Sequence, residues 1–307
     1  MYDVCIIGHV TRDFSAFNGR PGSEMPGGVV NYAGIALQSL GLKTAVITKA
    51  ARVDADEILG PLRKIGVKVY CLASRATTVF ENKYSGNGLE IRNQKVGSIA
   101  DAFDPRGLPP VWAKTFHLGP LTNGEMSAGF VKAVSERDGR VFLDVQGFLR
   151  EIENGKVRLV DWPEMREVLA HVHVLKASLS EALFLSGEKK PERAARKLVE
   201  LGPEEVVLTC GSNGSLILAG ERFYDIPAYP PRVVADPTGC GDTYSAGYIY
   251  HRLQSDDIGA AGRFAAALAA LKLERHGPFT GDAQDVQARL REAEAMAESD
   301  RQELCQI

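Results

Sequence analysis

The chain has 307 residues, 45% of them hydrophobic, and a formal net charge of −3. That suits one large globular α/β domain, and the weakly acidic balance leaves no footprint for nucleic acid. The five cysteines are scattered with no Cys-x-x-Cys pair, so neither a metal site nor a disulfide framework is expected and a reducing cytoplasm is. No apolar run reaches the roughly 18 residues of a membrane span, and Met1 to Gly8 reads as a strand, not a basic leader.

Asp3 to Gly8 is the first predicted strand, with Val-Cys-Ile-Ile as a buried run and a glycine stop. It leads into Gly8-His9-Val10-Thr11-Arg12-Asp13. Ligands of parallel α/β sheets sit past the carboxyl ends of strands, which makes Asp13 a candidate for binding hydroxyls; a solvated loop aspartate is the plainer reading. Phe14 to Glu24 is irregular with some β character. Gly27-Gly28 opens a helix that runs to Leu40 and stops at Gly41.

A strand at Lys43 to Thr48, a helix at Asp54 to Ile65 and a strand at Val67 to Leu72 follow. Thr77 to Tyr84 and Leu89 to Gln94 then alternate polar and β-prone residues, which predicts a hairpin turning near Asn87-Gly88. Strand–helix alternation resumes with a strand at Thr115 to Leu118, a helix at Gly124 to Arg137, and a strand ending in Asp144-Val145-Gln146-Gly147-Phe148-Leu149-Arg150. Gly155 to Val160 is a short β-prone insert before a helix at Pro163 to His171. A strand at Val172 to Lys176 leads to Ser178-Leu179-Ser180-Glu181, a capping-box pattern at a helix start. Thr209-Cys210-Gly211-Ser212-Asn213-Gly214 reads as a hairpin turn after a strand at Glu205 to Thr209. Asp256 to Leu273 is an Ala-rich helix, and Asp282 to Ala297 a charged closing helix.

The densest chemistry lies in Asp236-Pro237-Thr238-Gly239-Cys240-Gly241-Asp242. A Pro-containing β-prone run, Ile226 to Val234, precedes it and a helix, Thr243 to Leu253, follows. Glycines let backbone N–H groups approach a ligand closely. A helix N-terminus offers unpaired N–H groups and partial positive charge to an anion. An aspartate in that first turn can take a proton from a hydroxyl beside the phosphate. Asp242 as a mere helix-capping residue fits these residues equally well. No Gly-x-x-x-x-Gly-Lys-Ser/Thr run exists, and the chain after the first strand fails the Gly-x-Gly-x-x-Gly pattern of nicotinamide enzymes.

Asp236-x-Thr238-Gly239-x-Gly241-Asp242 resembles the C-terminal signature of the ribokinase-like (PfkB) sugar and nucleoside kinases, with Cys240 where alanine is usual. The resemblance extends in order through Gly8 to Asp13, Gly27-Gly28, Ser178 to Glu181 and Thr209 to Gly214. It implies a three-layer α/β/α sandwich with a mainly parallel sheet, one domain over 1–307, and a small β-lid from about 13–25 and 77–95. It implies an ATP- and Mg2+-dependent kinase acting on a hydroxyl of a small sugar, polyol or nucleoside. Asp242 would be the general base, with the backbone of Gly239, Cys240 and Gly241 as the anion hole. Asp13, Gly27 and Gly28 would hold the acceptor, with Asn31 and Tyr32 beside them; Tyr32 stands where the family's asparagine is usual. Thr209, Gly211, Gly214, Thr238 and Gly277 would border the nucleotide. Glu181 would order Mg2+ through water, with Ser178 in place of the family's asparagine. A monovalent cation such as K+ near Asp236 and Thr238, and a homodimer through the lid, are further features of relatives. The rival reading is a catalytically weak kinase-like protein that binds a ligand and regulates a partner.

Overall fold

The computed structural model describes residues 1–86, 89 and 91–304; the turn expected at Asn87-Gly88 lies outside them. The elements, in chain order, are β1 (Tyr2–Ile7), β2 (Thr11–Phe17), β3 (Arg20–Gly27), α1 (Val29–Ser39), β4 (Thr44–Ala51), α2 (Ala55–Lys64), β5 (Lys68–Ser74), β6 (Thr78–Ser85), β7 (Ile91–Ser98), β8 (Ala113–Leu118), α3 (Ala128–Ser135) and β9 (Arg140–Asp144). Then come β10 (Arg150–Glu153), β11 (Lys156–Leu159), α4 (Met165–Leu169), β12 (Val174–Ser178), α5 (Leu179–Ser186), α6 (Pro191–Val199), β13 (Glu205–Thr209), β14 (Ser215–Ala219), β15 (Arg222–Ile226), α7 (Cys240–Arg252), α8 (Ile258–Leu273) and α9 (Ala283–Leu304).

Nine strands form the central sheet in the order β15-β14-β13-β12-β9-β8-β1-β4-β5. Pairing is parallel from β5 to β13 and antiparallel for β14 and β15. The strands are buried on both faces, and successive side chains alternate between two cores. Val4 and Ile6 enter one core, with α1, α2, α7 and α8; Cys5 and Ile7 enter the other, with α3 to α6. This is the expected α/β/α sandwich. The second sheet, β10-β11-β7-β6-β2-β3, is the lid and is antiparallel except for the β2–β6 pair. The short insert at Gly155 to Val160 is not isolated: β11 pairs with β7 at Lys156 and Lys95.

Several boundaries differ from expectation: Phe14 to Glu24 is not irregular but lies in β2 and β3, the helix expected at Pro163 to His171 is Met165–Leu169, and the closing helix runs on to Leu304. Three further differences have a local cause. The Pro-containing run after Ile226 is not strand, because Pro227, Pro230 and Pro231 lack the N–H a ladder needs. The helix expected at Gly124 begins at Ala128, where the Ser127 hydroxyl caps the Phe130 N–H at 3.2 Å. The helix expected from Thr243 begins at Cys240, because Gly239 at φ 74° turns the chain directly into it. Among the described residues, no helix is long and apolar enough to cross a membrane.

Candidate active site

The carboxyl ends of the parallel strands face the lid, and four segments converge there. The first is the start of α7. Gly239 must be glycine for a reason beyond its dihedral: a Cβ would lie 2.2 Å from the Tyr32 ring. Tyr32, buried on α1, thus presses its ring against the loop, so the residue that departs from the expected asparagine supports the turn. Asp242 stands in the first turn of α7, part-buried. Loss of solvation, with Asp144 and Asp13 adding to it and Lys176 and Arg92 opposing, raises its carboxyl to about 6. A carboxyl there is a proton acceptor near neutral pH.

The second segment is the end of β9 and β12. Lys176 Nζ donates to Asp144 Oδ2 at 2.7 Å, and both side chains are buried. A Cβ on Gly241 would lie 2.9 Å from Lys176 Nζ, so the ammonium sits directly against the anion loop. Burial alone would lower this lysine, but Asp144, Glu181 and Asp242 carry it above its ordinary value. Arg150, at the start of β10, is drawn down to about 10 by burial and by Arg92, with Glu181, Asp144 and Asp242 opposing. At neutral pH both remain cations. Arg150 and Asp144 are legible in the sequence as residues at a strand's functional end, whereas Lys176 reads as one polar residue in a buried strand.

Glu181 and Ser178 form a complete capping box on α5. Ser178 N donates to Glu181 Oε2 at 2.8 Å, and Glu181 N donates to Ser178 Oγ at 3.3 Å. The capping box fixes the glutamate's orientation, and its charge is felt by both Lys176 and Arg150. One carboxylate is compatible with Mg2+, which keeps several waters and takes few protein ligands. Thr209 lies beside Ser178 across the β12–β13 register. After it, Gly211 (φ 59°) and Gly214 (φ 85°) make a tight turn whose Gly214 could not carry a Cβ, 2.0 Å from Ile226 O.

The third segment holds Asp13. It is buried at 6% exposure, and the Thr11 hydroxyl donates to its Oδ1 at 2.6 Å. Burial, with Asp236 adding, raises it to about 6 against the Thr11 hydroxyl and Arg92. Gly27 is required here: a Cβ would lie 2.2 Å from Asp13 Oδ2. Gly28, at φ 80°, has the His9 carbonyl where a Cβ would stand. Asp13, Met25, Tyr32, Asp236 and His276 help line a cavity of about 620 Å3, large enough for a sugar or nucleoside. Asn31 points elsewhere, its amide donating to Pro26 O at 2.8 Å.

The fourth segment is the inner face of the lid. Asn82 is buried, and its Oδ1 accepts from Gln94 Nε2 at 2.8 Å and Arg92 Nε at 3.1 Å, leaving its Nδ2 without a partner among the described residues. Tyr84, two residues on and on the same face, accepts from the Thr238 hydroxyl at 3.0 Å. The lid therefore holds the anion loop directly, and Thr238 uses its hydroxyl for that. Gly277 N donates to Asp236 Oδ2 at 3.2 Å and Thr238 N to Asp236 Oδ1 at 2.9 Å, so both brace the aspartate.

Residues 130–284 match the pfkB family carbohydrate kinase model, half of the chain. The chain is 29% identical over 258 residues to a cytidine kinase of Thermococcus kodakarensis, covering 81% of this chain and 88% of the relative. It is 26% identical over 266 residues to an aminoimidazole riboside kinase of Salmonella typhimurium, covering 81% of each. Among solved structures it resembles a pyrophosphate-dependent kinase in the ribokinase family complexed with a pyrophosphate analog and myo-inositol. That match has TM-score 0.81 and 28% identity, and covers 93% of this chain and 99% of the other. An aspartate-bearing glycine loop at a helix start, a cavity of sugar or nucleoside size under a β-lid, and these likenesses agree: the chain belongs to the pfkB family of carbohydrate kinases, with the ribokinase fold.

Proposed function

We propose that the enzyme transfers a phosphoryl group to a hydroxyl of a small sugar, polyol or nucleoside, with Asp242 as the general base. The observation that carries this reading is the part-buried Asp242 at the N-terminus of α7, facing Lys176 across Gly241. The acceptor lies in the cavity with its hydroxyls on Asp13. Asp242 takes the hydroxyl proton, the oxygen attacks the terminal phosphorus, and the bond to the donor's bridging oxygen breaks. The N–H groups of Gly239 to Asp242, with Lys176 and Arg150, hold the charge that builds on the transferring group. Mg2+, held through water by Glu181, would neutralise donor oxygens when bound. Thr209, Gly211 and Gly214 lie on the donor side.

The donor in this reading is ATP. A second donor, inorganic pyrophosphate, is favoured by one observation: Lys176 and Arg150 are two mostly enclosed cations beside the anion loop. A donor with no nucleoside makes no base contacts and leans the more on cations and N–H groups, and a structural relative at 28% identity is pyrophosphate-dependent. The test is a product-release screen of Mg-ATP and Mg-pyrophosphate against ribose, fructose, myo-inositol and cytidine, with Asp242→Asn as blank. Turnover of one pair that vanishes in the blank is the expected result. Silence across the panel, with donor binding intact, would favour the ligand-binding regulator.

A further inference from the structure

The resemblance to the ribokinase-like kinases implies a monovalent cation near Asp236 and Thr238, and the groups around Asp236 decide whether this chain has room for one. Lys272 stands in the last turn of α8 with its side chain wholly buried. Its Nζ donates to the Asp236 carbonyl oxygen at 2.6 Å and lies 3.3 Å from Asp236 Oδ2. It also stands 5.5 Å from the centroid of the Tyr32 ring. A carbonyl, a carboxylate and an aromatic face around one ammonium make a complete cation cage. The three partners are the loop's own supports. Asp236 takes N–H bonds from Thr238 and Gly277, and the Tyr32 ring bears on Gly239. A K+ ion seeking the same oxygens would meet a like charge already bonded to them.

We infer that Lys272 is a resident cation that positions the anion loop, so that this kinase needs no monovalent metal ion. The residues present do not fit a K+ site at Asp236; they fill it. Burial of so polar a group inside an Ala-rich helix is otherwise costly, and its bonds go to the one loop whose backbone must hold an anion. Lys272 touches no reacting atom, so it is a positioning residue.

The test has two arms, and only the turnover arm rests on the kinase reading. Thermal unfolding of the wild type is measured in KCl and in choline chloride at matched ionic strength, with NH4Cl as a third salt. The midpoints should coincide, and turnover should change by less than about twofold between salts. Lys272→Ala opens the cage; its turnover should fall on the order of tenfold or more, and K+ or NH4+ should raise both its midpoint and its rate. Lys272→Met fills the space without charge and should stay slow in every salt. A wild-type midpoint or rate that rises with K+ over choline would overturn the inference, as would full activity in Lys272→Met or an Ala variant indifferent to cations. An inactive wild type would refute the proposed reaction and leave the unfolding arm to decide the cage.

Discussion

Asp242→Asn should cost the enzyme its reaction and repay it in stability. Transfer into the site moves the Asp242 carboxyl from 3.8 to about 6. The folded protein thus binds this proton more tightly than the unfolded chain does. The ionised carboxylate weakens the fold, and that cost appears as pH rises through the interval from 3.8 to about 6. At 1.36 kcal/mol per pH unit the full cost is about 3 kcal/mol, and the partial exposure of the side chain trims it to about 1–3 kcal/mol. A neutral amide escapes it. Urea unfolding at pH 8 should therefore find the variant more stable by about that amount, and the gain should shrink toward zero as pH falls below 4. Turnover under chemistry-limited conditions should fall by about 10²–10⁴. Wild-type kcat/KM should rise with pH through about 6 and level off above it. An equal stability difference at pH 8 and pH 4, or a kcat within about threefold of wild type, would refute the reasoning.

Lys176→Met should leave Asp144 buried and unpaired, lowering stability by about 3–5 kcal/mol in urea unfolding and raising the donor KM. Gly27→Ala puts a methyl where Asp13 Oδ2 now lies; acceptor KM should rise at least about tenfold with donor KM unchanged, read from initial rates. Asn82→Ala removes the hub that Gln94 and Arg92 share, and should weaken acceptor binding by about 1–3 kcal/mol in calorimetric titration.

The parts of the site that were legible in the sequence are local. Asp236 to Asp242 packs its pattern into seven residues, and although a helix cap explains Asp242 alone equally well, the order of the separate blocks along the chain carries the family resemblance. Gly27-Gly28 likewise marks a helix entry, although its tightest constraint, the Asp13 carboxylate at the Gly27 Cβ position, belongs to a residue on another strand. What stayed hidden depends on register between distant strands. Lys176 is one polar residue in a buried strand until β9 sets Asp144 beside it. Lys272 is one lysine in an Ala-rich helix until the loop at Asp236 folds over it. Asn82 looks like a solvated hairpin residue because the alternation in β6 does not say which face is buried. The helix start at Cys240 is not legible in the sequence because Gly239 enters the left-handed region, which propensity in the following residues does not encode.

The hydrogen bond between Tyr84 and Thr238 has a practical consequence for redesign. Tyr84 shares one strand face with Asn82, so the buried face of the lid is tied directly to the turn proposed to hold the phosphoryl group. On the proposed reaction, selectivity and speed are then expected to be mechanically joined. A library that varies the lid to accept a new alcohol will shift kcat along with KM, and variants chosen by ligand capture alone will include tight binders with a displaced loop. Screening on product formed, with Tyr84 held constant, keeps the two properties from being traded unseen.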